Sequence, residues 1–259
     1  MAAASSLRTL LLPKEHGSWS LALEPLALGL LVAPSLPGAV LALAVMAGFF
    51  TRRPLKLGVT LPAVDPRWME ARRWAWRLGS VAVAAIVAVV LMANSASALW
   101  PLLLAVPFGA FFLWFDLRNE MREAEAELAG CTAFAVLPAA FATLAGWPPA
   151  HALGLAVIML ARSIPTVLAV RTFLRLGKGQ PVGPALPLFA AAGAALALAG
   201  LTVRGLVPHA APWLALLLLV RACFYTTPLR PDWPARRVGL IEMVAGAVFV
   251  AVLAIAYRL

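Results

Sequence analysis

Charge is what this chain has least of. Only 12% of its 259 residues are Asp, Glu, Lys or Arg, against roughly 25% in a soluble domain, which excludes an ordinary water-soluble core with a polar coat. Acidic residues are scarcer still, 11 against 21 Lys and Arg, leaving a formal net charge of +10. An excess of that size serves nucleic acid only where a soluble basic domain presents it to phosphates. Here the basic residues sit between apolar runs, so no nucleic-acid partner is expected. Cysteine appears twice and histidine three times. Cys131 and Cys223 lie in apolar segments without a CxxC or ligand spacing, which excludes a disulfide framework and reads as small core residues. His151 and His209 lie far from His16, and no metal site or cofactor is expected. No Walker loop, GxSxG, HExxH or GxGxxG in a soluble setting is present, so ATP hydrolysis, serine hydrolysis and zinc proteolysis find no support.

What the chain has in plenty is apolar sequence. Hydrophobic residues make up 63% of it and the mean hydropathy is +0.92, so lipid is the solvent. A helix needs roughly 20 apolar residues to cross the ~30 Å hydrocarbon core. The pattern predicts an all-α polytopic bundle of about nine such helices in a single integral membrane domain, 1–259. The expected spans are 17–33, 37–51, 76–93, 99–115, 128–145, 153–170, 185–203, 211–224 and 238–257, the second and eighth being short. The first twelve residues run directly into Pro13-Lys14-Glu15-His16 without a signal-peptide core, so the first span reads as an uncleaved anchor.

The basic residues fall on one side of this layout. Arg8, Lys14, Arg52, Arg53, Lys56, Arg67, Arg72, Arg73, Arg77, Arg118, Arg122, Arg171, Arg175, Lys178, Arg230, Arg236 and Arg237 share the face of the N-terminus, whereas the opposite face keeps Arg204 and Arg258. The positive-inside rule then predicts a cytoplasmic N-terminus and an outside C-terminus. Three connections lie on the basic side. Segment 52–77 is expected to be a cytoplasmic loop whose second half is an interfacial helix, with Trp68, Trp74 and Trp76 interleaved with Arg67, Arg72, Arg73 and Arg77 at headgroup depth. Segment 116–127 is a charged connection, solvated over most of its length, with only its two ends as site candidates. Segment 171–184 is a basic loop, in which Arg171, Arg175 and Lys178 recur on one helical face.

Four charges fall inside spans, where an unpaired ion costs several kcal/mol. Glu24 lies roughly 10 Å inside the start of the first helix and Arg162 roughly 13 Å from the end of the sixth, at ~1.5 Å per residue. Arg221 and Glu242 match in the same way on the last two helices. These groups either neutralise one another as structural ion pairs or line a wet cavity open to the basic side, where they meet a ligand. The sharper expectation is that Glu24, Arg162 and Arg171 line one cavity, with Arg221 and Glu242 completing its wall or pairing beside it. Pro165 adds a freed carbonyl beside Arg162. Lys14, Glu15 and His16 form a polar entry to the membrane that is either an anchor or part of the site.

The runs Pro13-Lys14-Glu15-His16-Gly17-Ser18-Trp19, Arg53-Pro54-Leu55, Arg162-Ser163-Ile164-Pro165 and Arg171-Thr172-Phe173-Leu174-Arg175 resemble the YwiC-like family of bacterial membrane proteins. The resemblance implies a multi-pass protein of the bacterial inner membrane. The layout is also similar to the UbiA superfamily of intramembrane prenyltransferases, which implies nine helices, a cavity open to the cytoplasm and caps formed by the loops after helices two and six. UbiA enzymes carry Asp-rich motifs there that hold magnesium and a prenyl pyrophosphate. This chain has Ala47-Gly48-Phe49-Phe50-Thr51-Arg52-Arg53 and Val167-Leu168-Ala169-Val170-Arg171-Thr172-Phe173 instead, without a carboxylate, and Mg²⁺ prefers oxygen ligands.

Two functions follow as expectations. In the first, the protein is a binding protein for an anionic amphiphile, an isoprenoid or lipid, or a divergent UbiA-like transferase without the Asp-rich motifs. Arg52, Arg53, Arg162, Arg171 and Arg175 then contact a phosphate or carboxylate head, with Lys14, Glu15, His16, Glu24, Arg221 and Glu242 around them, and membrane lipids are the surrounding partners. The alternative is a carrier or exporter of a small anion that uses the same residues as a transient site.

Overall fold

A computed structural model describes residues 10–11, 17–93, 95–121, 123–227 and 230–259. The described chain is helical throughout. Its helices are α1 (Gly17–Val32), α2 (Leu36–Thr60), α3 (Pro66–Met92), α4 (Trp100–Leu117), α5 (Ala124–Ala135), α6 (Leu137–Leu144), α7 (Pro149–Gly177), α8 (Ala185–Val203), α9 (Ala210–Thr226) and α10 (Ala235–Ala256). Seven segments are long and apolar enough to cross a membrane: α2, α3, Ala96–Leu117, Ala124–Leu144, α7, α8 and α10. Two shorter apolar helices, Trp19–Val32 and α9, pack with them among the described residues. The helices α5 and α6 form one of these spans, interrupted where Pro138 has no N–H to continue the ladder. Many large apolar side chains are exposed, among them Leu103, Phe189, Leu196 and Val203. Soluble monomers rarely leave such surface to water, and a bilayer accommodates it. This is a polytopic membrane bundle.

Local sequence explains where the helices start and stop. The Ser35 hydroxyl accepts from the Gly38 N–H at 3.1 Å, and Pro37 sits in the first turn of α2. The Asp65 carboxylate caps α3 by accepting from the Arg67 N–H at 2.8 Å, with Pro66 opening the helix. The Arg67 side chain also binds that carboxyl and holds it down at about 2.

Two expectations about helix ends need correction. The second span is not short: α2 runs through Arg52, Arg53, Pro54 and Lys56 to Thr60. Residues 67–77 do not form a separate interfacial helix, because they are the first turns of α3, which continues unbroken to Met92. The connection between the two is only 61–65. Charge marks where a helix leaves hydrocarbon, yet it does not end the helix, since Arg and Lys have good helical propensity. Likewise α7 carries Arg171 and Arg175 within its helical length, so only 178–184 connects it to α8.

The core is built from small residues. Ala139, Ala142, Ala152, Ala156, Ala195, Ala211 and Ala215 are buried with Leu28, Leu155, Ile158, Met159, Leu198 and Leu253, joining α1, α6, α7, α8, α9 and α10. Small side chains let helices approach closely where lipid offers no hydrophobic drive between them. The span Ala124–Leu144 and α7 are the most enclosed, whereas α3 and α4 lie outermost. The central position of α7 brings Arg162 to the heart of the bundle.

Candidate functional site

Arg162, only 2% exposed, sits one turn from Thr166 on α7. Its Nη2 lies 3.5 Å from Glu24 Oε1 on α1 and donates to the Glu242 backbone carbonyl on α10 at 3.0 Å. Its Nη1 lies 3.8 Å from Glu242 Oε2 and donates to the Thr166 hydroxyl. From α9, Arg221 reaches the same Glu242 carboxylate through Nη1 and Thr166 Oγ1 through Nη2 at 2.8 Å. Tyr225, one turn beyond Arg221, donates its hydroxyl to Glu242 Oε1 at 2.8 Å. Thr166 donates in turn to the Arg162 carbonyl, so one hydroxyl serves as donor once and acceptor twice, its full capacity. Glu24 fits because Gly246 has no side chain: a Cβ there would overlap the Glu24 carboxylate. Two arginines and two glutamates thus form one network across α1, α7, α9 and α10.

Nearer the basic end are two further clusters. Asp116, 3% exposed at the end of α4, accepts from Arg52 Nε at 2.7 Å and Lys56 Nζ at 2.8 Å, both on α2. The Arg52 guanidinium also lies over the Phe112 ring, 5.0 Å from its centroid. Arg171 Nη1 on α7 lies 2.8 Å from Glu127 Oε2 on α5.

All three clusters border one cavity of about 480 Å³. Glu24, Arg52, Lys56, Glu127, Arg162, Thr166, Arg171 and Glu242 supply its polar lining, and Leu21, Phe49, Phe112, Phe134, Val167, Val170 and Leu174 its apolar lining. The wall is therefore amphipathic and carries both signs of charge, rather than being purely basic. Within the network, Nε of Arg162 and Nε of Arg221 have no hydrogen-bond acceptor among the described residues.

The structure brings Glu24, Arg52, Arg162, Arg171 and Glu242 together on this cavity, with Arg221 directly behind Glu242. Arg53 lies outside the lining. Arg175 is exposed and donates to the Gln180 side chain at 3.1 Å, so it does not share the mouth with Arg171. Lys14, Glu15 and His16 fall outside the described residues. Four contributors were not singled out from sequence: Lys56, Tyr225, Gly246 and Gly130, the last placed against Phe112. Three of them carry a signal, since each lies four residues from a named charge: Arg52, Arg221 and Glu242 respectively. The two ends of 116–127 are Asp116 and Glu127, both engaged by cations.

The residues at the ends of α2 and α7 do not suit a magnesium ion held in the UbiA manner. The nearest carboxylates, Asp116 and Glu127, are occupied by Arg52, Lys56 and Arg171. Among the described residues no three His, Cys, Asp or Glu side chains gather as a metal site would need.

Fold and site together define a multi-pass helical membrane protein with a charged, amphipathic cavity at its basic end. The chain belongs to the YwiC-like family, whose model, described as YwiC-like protein, matches residues 12–142, about half of the chain. That match takes in the Pro13–Trp19 and Arg53–Leu55 runs, while the α7 motifs lie beyond it. No curated protein and no solved structure matches.

Proposed function

We propose that this YwiC-like protein binds an amphiphile with an acidic head, an isoprenoid or lipid phosphate being the simplest class, in the cavity between α1, α2, α4, α5, α7 and α10. The observation that carries this reading is the lining itself: Arg52, Arg162 and Arg171 border one cavity together with Phe49, Phe112 and Phe134. Arg52 and Arg171 flank the same space, and arginine forks bind phosphate bidentately. The phenylalanines and aliphatic residues opposite suit a chain, and the volume falls in the range of small-ligand pockets, roughly 300–1,000 Å³. In this reading the basic end faces the cytoplasm of a bacterial inner membrane.

Binding of farnesyl phosphate and of farnesol to the purified protein tests it, because the two probes share a chain and differ only in the head. Farnesyl phosphate should bind at least tenfold more tightly, and Arg171→Gln should remove most of that preference, since a charge-assisted hydrogen bond is worth about 1.5–3 kcal/mol. Equal affinity for the two probes would contradict the reading. Inorganic phosphate binding as tightly as farnesyl phosphate would favour the small-anion carrier instead.

A further inference from the structure

A second concavity, about 740 Å³, lies on the outer side of the bundle between the extended end of α2 and the start of α3. It is apolar along most of its length, with Leu55 and Val59 on one side and Trp76, Val83 and Ala84 on the other. Arg72 stands at its basic end. From Arg72 to Ala84 the helix rises roughly 18 Å, so the groove descends from headgroup depth well into hydrocarbon. Two glycines shape it. A Cβ on Gly58 would come within 2.9 Å of Arg72 Cγ, so its absence lets the arginine stem lie against α2. At Gly79 a Cβ would meet nothing nearer than Thr51 Cγ2 at 4.0 Å, which leaves open space over the helix.

The charges here differ from those in the cavity. The Arg72 guanidinium is exposed and stacks over Trp68 at 4.6 Å, and Arg77 stacks over Trp74 at 5.3 Å. Neither Arg72, Arg73 nor Arg77 makes an ion pair among the described residues. Uncompensated cations at the top of an apolar groove are complementary to an anionic head carrying acyl chains, and indoles beside them suit the interfacial layer.

We infer that this groove is a binding site for an anionic diacyl phospholipid of the surrounding bilayer, its phosphate on Arg72 and one acyl chain lying over Gly79 toward Val83. The site is separate from the cavity, because α2 presents Arg52 and Lys56 to the cavity and Leu55, Gly58 and Val59 to the groove.

The full chain, equilibrated with vesicles of equimolar phosphatidylglycerol and phosphatidylcholine and then examined by native mass spectrometry, tests this. Phosphatidylglycerol should be retained in preference, and Arg72→Gln should lower that preference roughly fivefold, the worth of one basic contact with an anionic lipid. Gly79→Leu fills the open space and should reduce retention of both lipids. Arg204→Gln removes an equal charge at the opposite end and should change nothing. Wild-type-like retention in either the Arg72→Gln or the Gly79→Leu protein would overturn the inference. So would an equal effect of Arg204→Gln, which would mean bulk charge alone. Arg72 and Gly79 lie outside the cavity lining, so both variants should keep wild-type binding of farnesyl phosphate, which distinguishes loss of this site from loss of the cavity's ligand.

Discussion

Glu242 accepts from Arg221 and Tyr225 and lies within reach of Arg162, so the four intramembrane charges cannot be divided into two independent pairs. Depth along the helices suffices to match Glu24 with Arg162 and Arg221 with Glu242, because the cost of an unpaired ion in lipid leaves few alternatives. It does not reveal the residues that make the match possible. Gly246 reads in sequence as one more small residue on an apolar helix, and Tyr225 as one more aromatic at an interface. Four-residue spacing puts each on the same helical face as a charge, but what it meets there depends on how α10 faces α1 and how α9 faces α10. Gly246→Ala provides a direct test at this scale. The added methyl must push the Glu24 carboxylate aside, and overpacking of this kind costs about 1–3 kcal/mol. Thermal unfolding in detergent should show a lowered midpoint. In a Glu24→Ala background the same substitution should cost much less, and an unchanged cost would mean that Glu24 does not occupy that space.

Among the elements, α2 and α7 carry the site, each by continuing past the membrane boundary as a helix. Their apolar stretches are legible as spans, whereas the fall in hydropathy at their charged ends hides the continuing helix. The helical periodicity persists through those ends: Arg52 and Lys56 are one turn apart and share Asp116. Asp116 is thus a positioning residue that holds two cations at the cavity mouth from α4. Replacing it with Asn leaves those cations facing each other with weakened compensation. Breaking a buried ion pair from one side costs about 3–5 kcal/mol, and the partial exposure of Arg52 and Lys56 puts the expected loss near the lower end, about 3 kcal/mol. Urea or thermal unfolding of Asp116→Asn measures it, and a stability equal to wild type would show that the cluster is solvated. The Asp65 cap on α3 has its own pH signature. Its carboxyl is held at about 2 by Arg67, below an ordinary value near ~3.9. Its contribution is complete above the unfolded value and lost only as pH falls through the folded one, so amide protection at the start of α3, measured relative to the intrinsic exchange rate at each pH, should not change between pH 5 and 8.

For the whole molecule, a multi-pass helical bundle follows from the apolar composition and the short polar breaks, because backbone groups in lipid must be satisfied within helices. Orientation in the membrane rests on the basic residues gathered at one end. A reporter fused after Leu259 should therefore behave as external, and one placed in the connection between α4 and α5 as cytoplasmic, with the reverse result inverting the topology. The shared cavity was less legible than the spans, since it requires α1, α2, α4, α5, α7 and α10 to converge, and only its charged members announced themselves. The proposed ligand sets an acidic headgroup against Arg162 and Arg171 in this cavity. The most direct measurement is an electron-microscopy structure of the protein in nanodiscs with farnesyl phosphate added. Headgroup density is expected within hydrogen-bond reach of Arg162 or Arg171, with the chain running along Phe49 and Phe134. A well-resolved cavity containing only water, with Glu24, Glu127 and Glu242 still closed on the arginines at saturating probe, would contradict it.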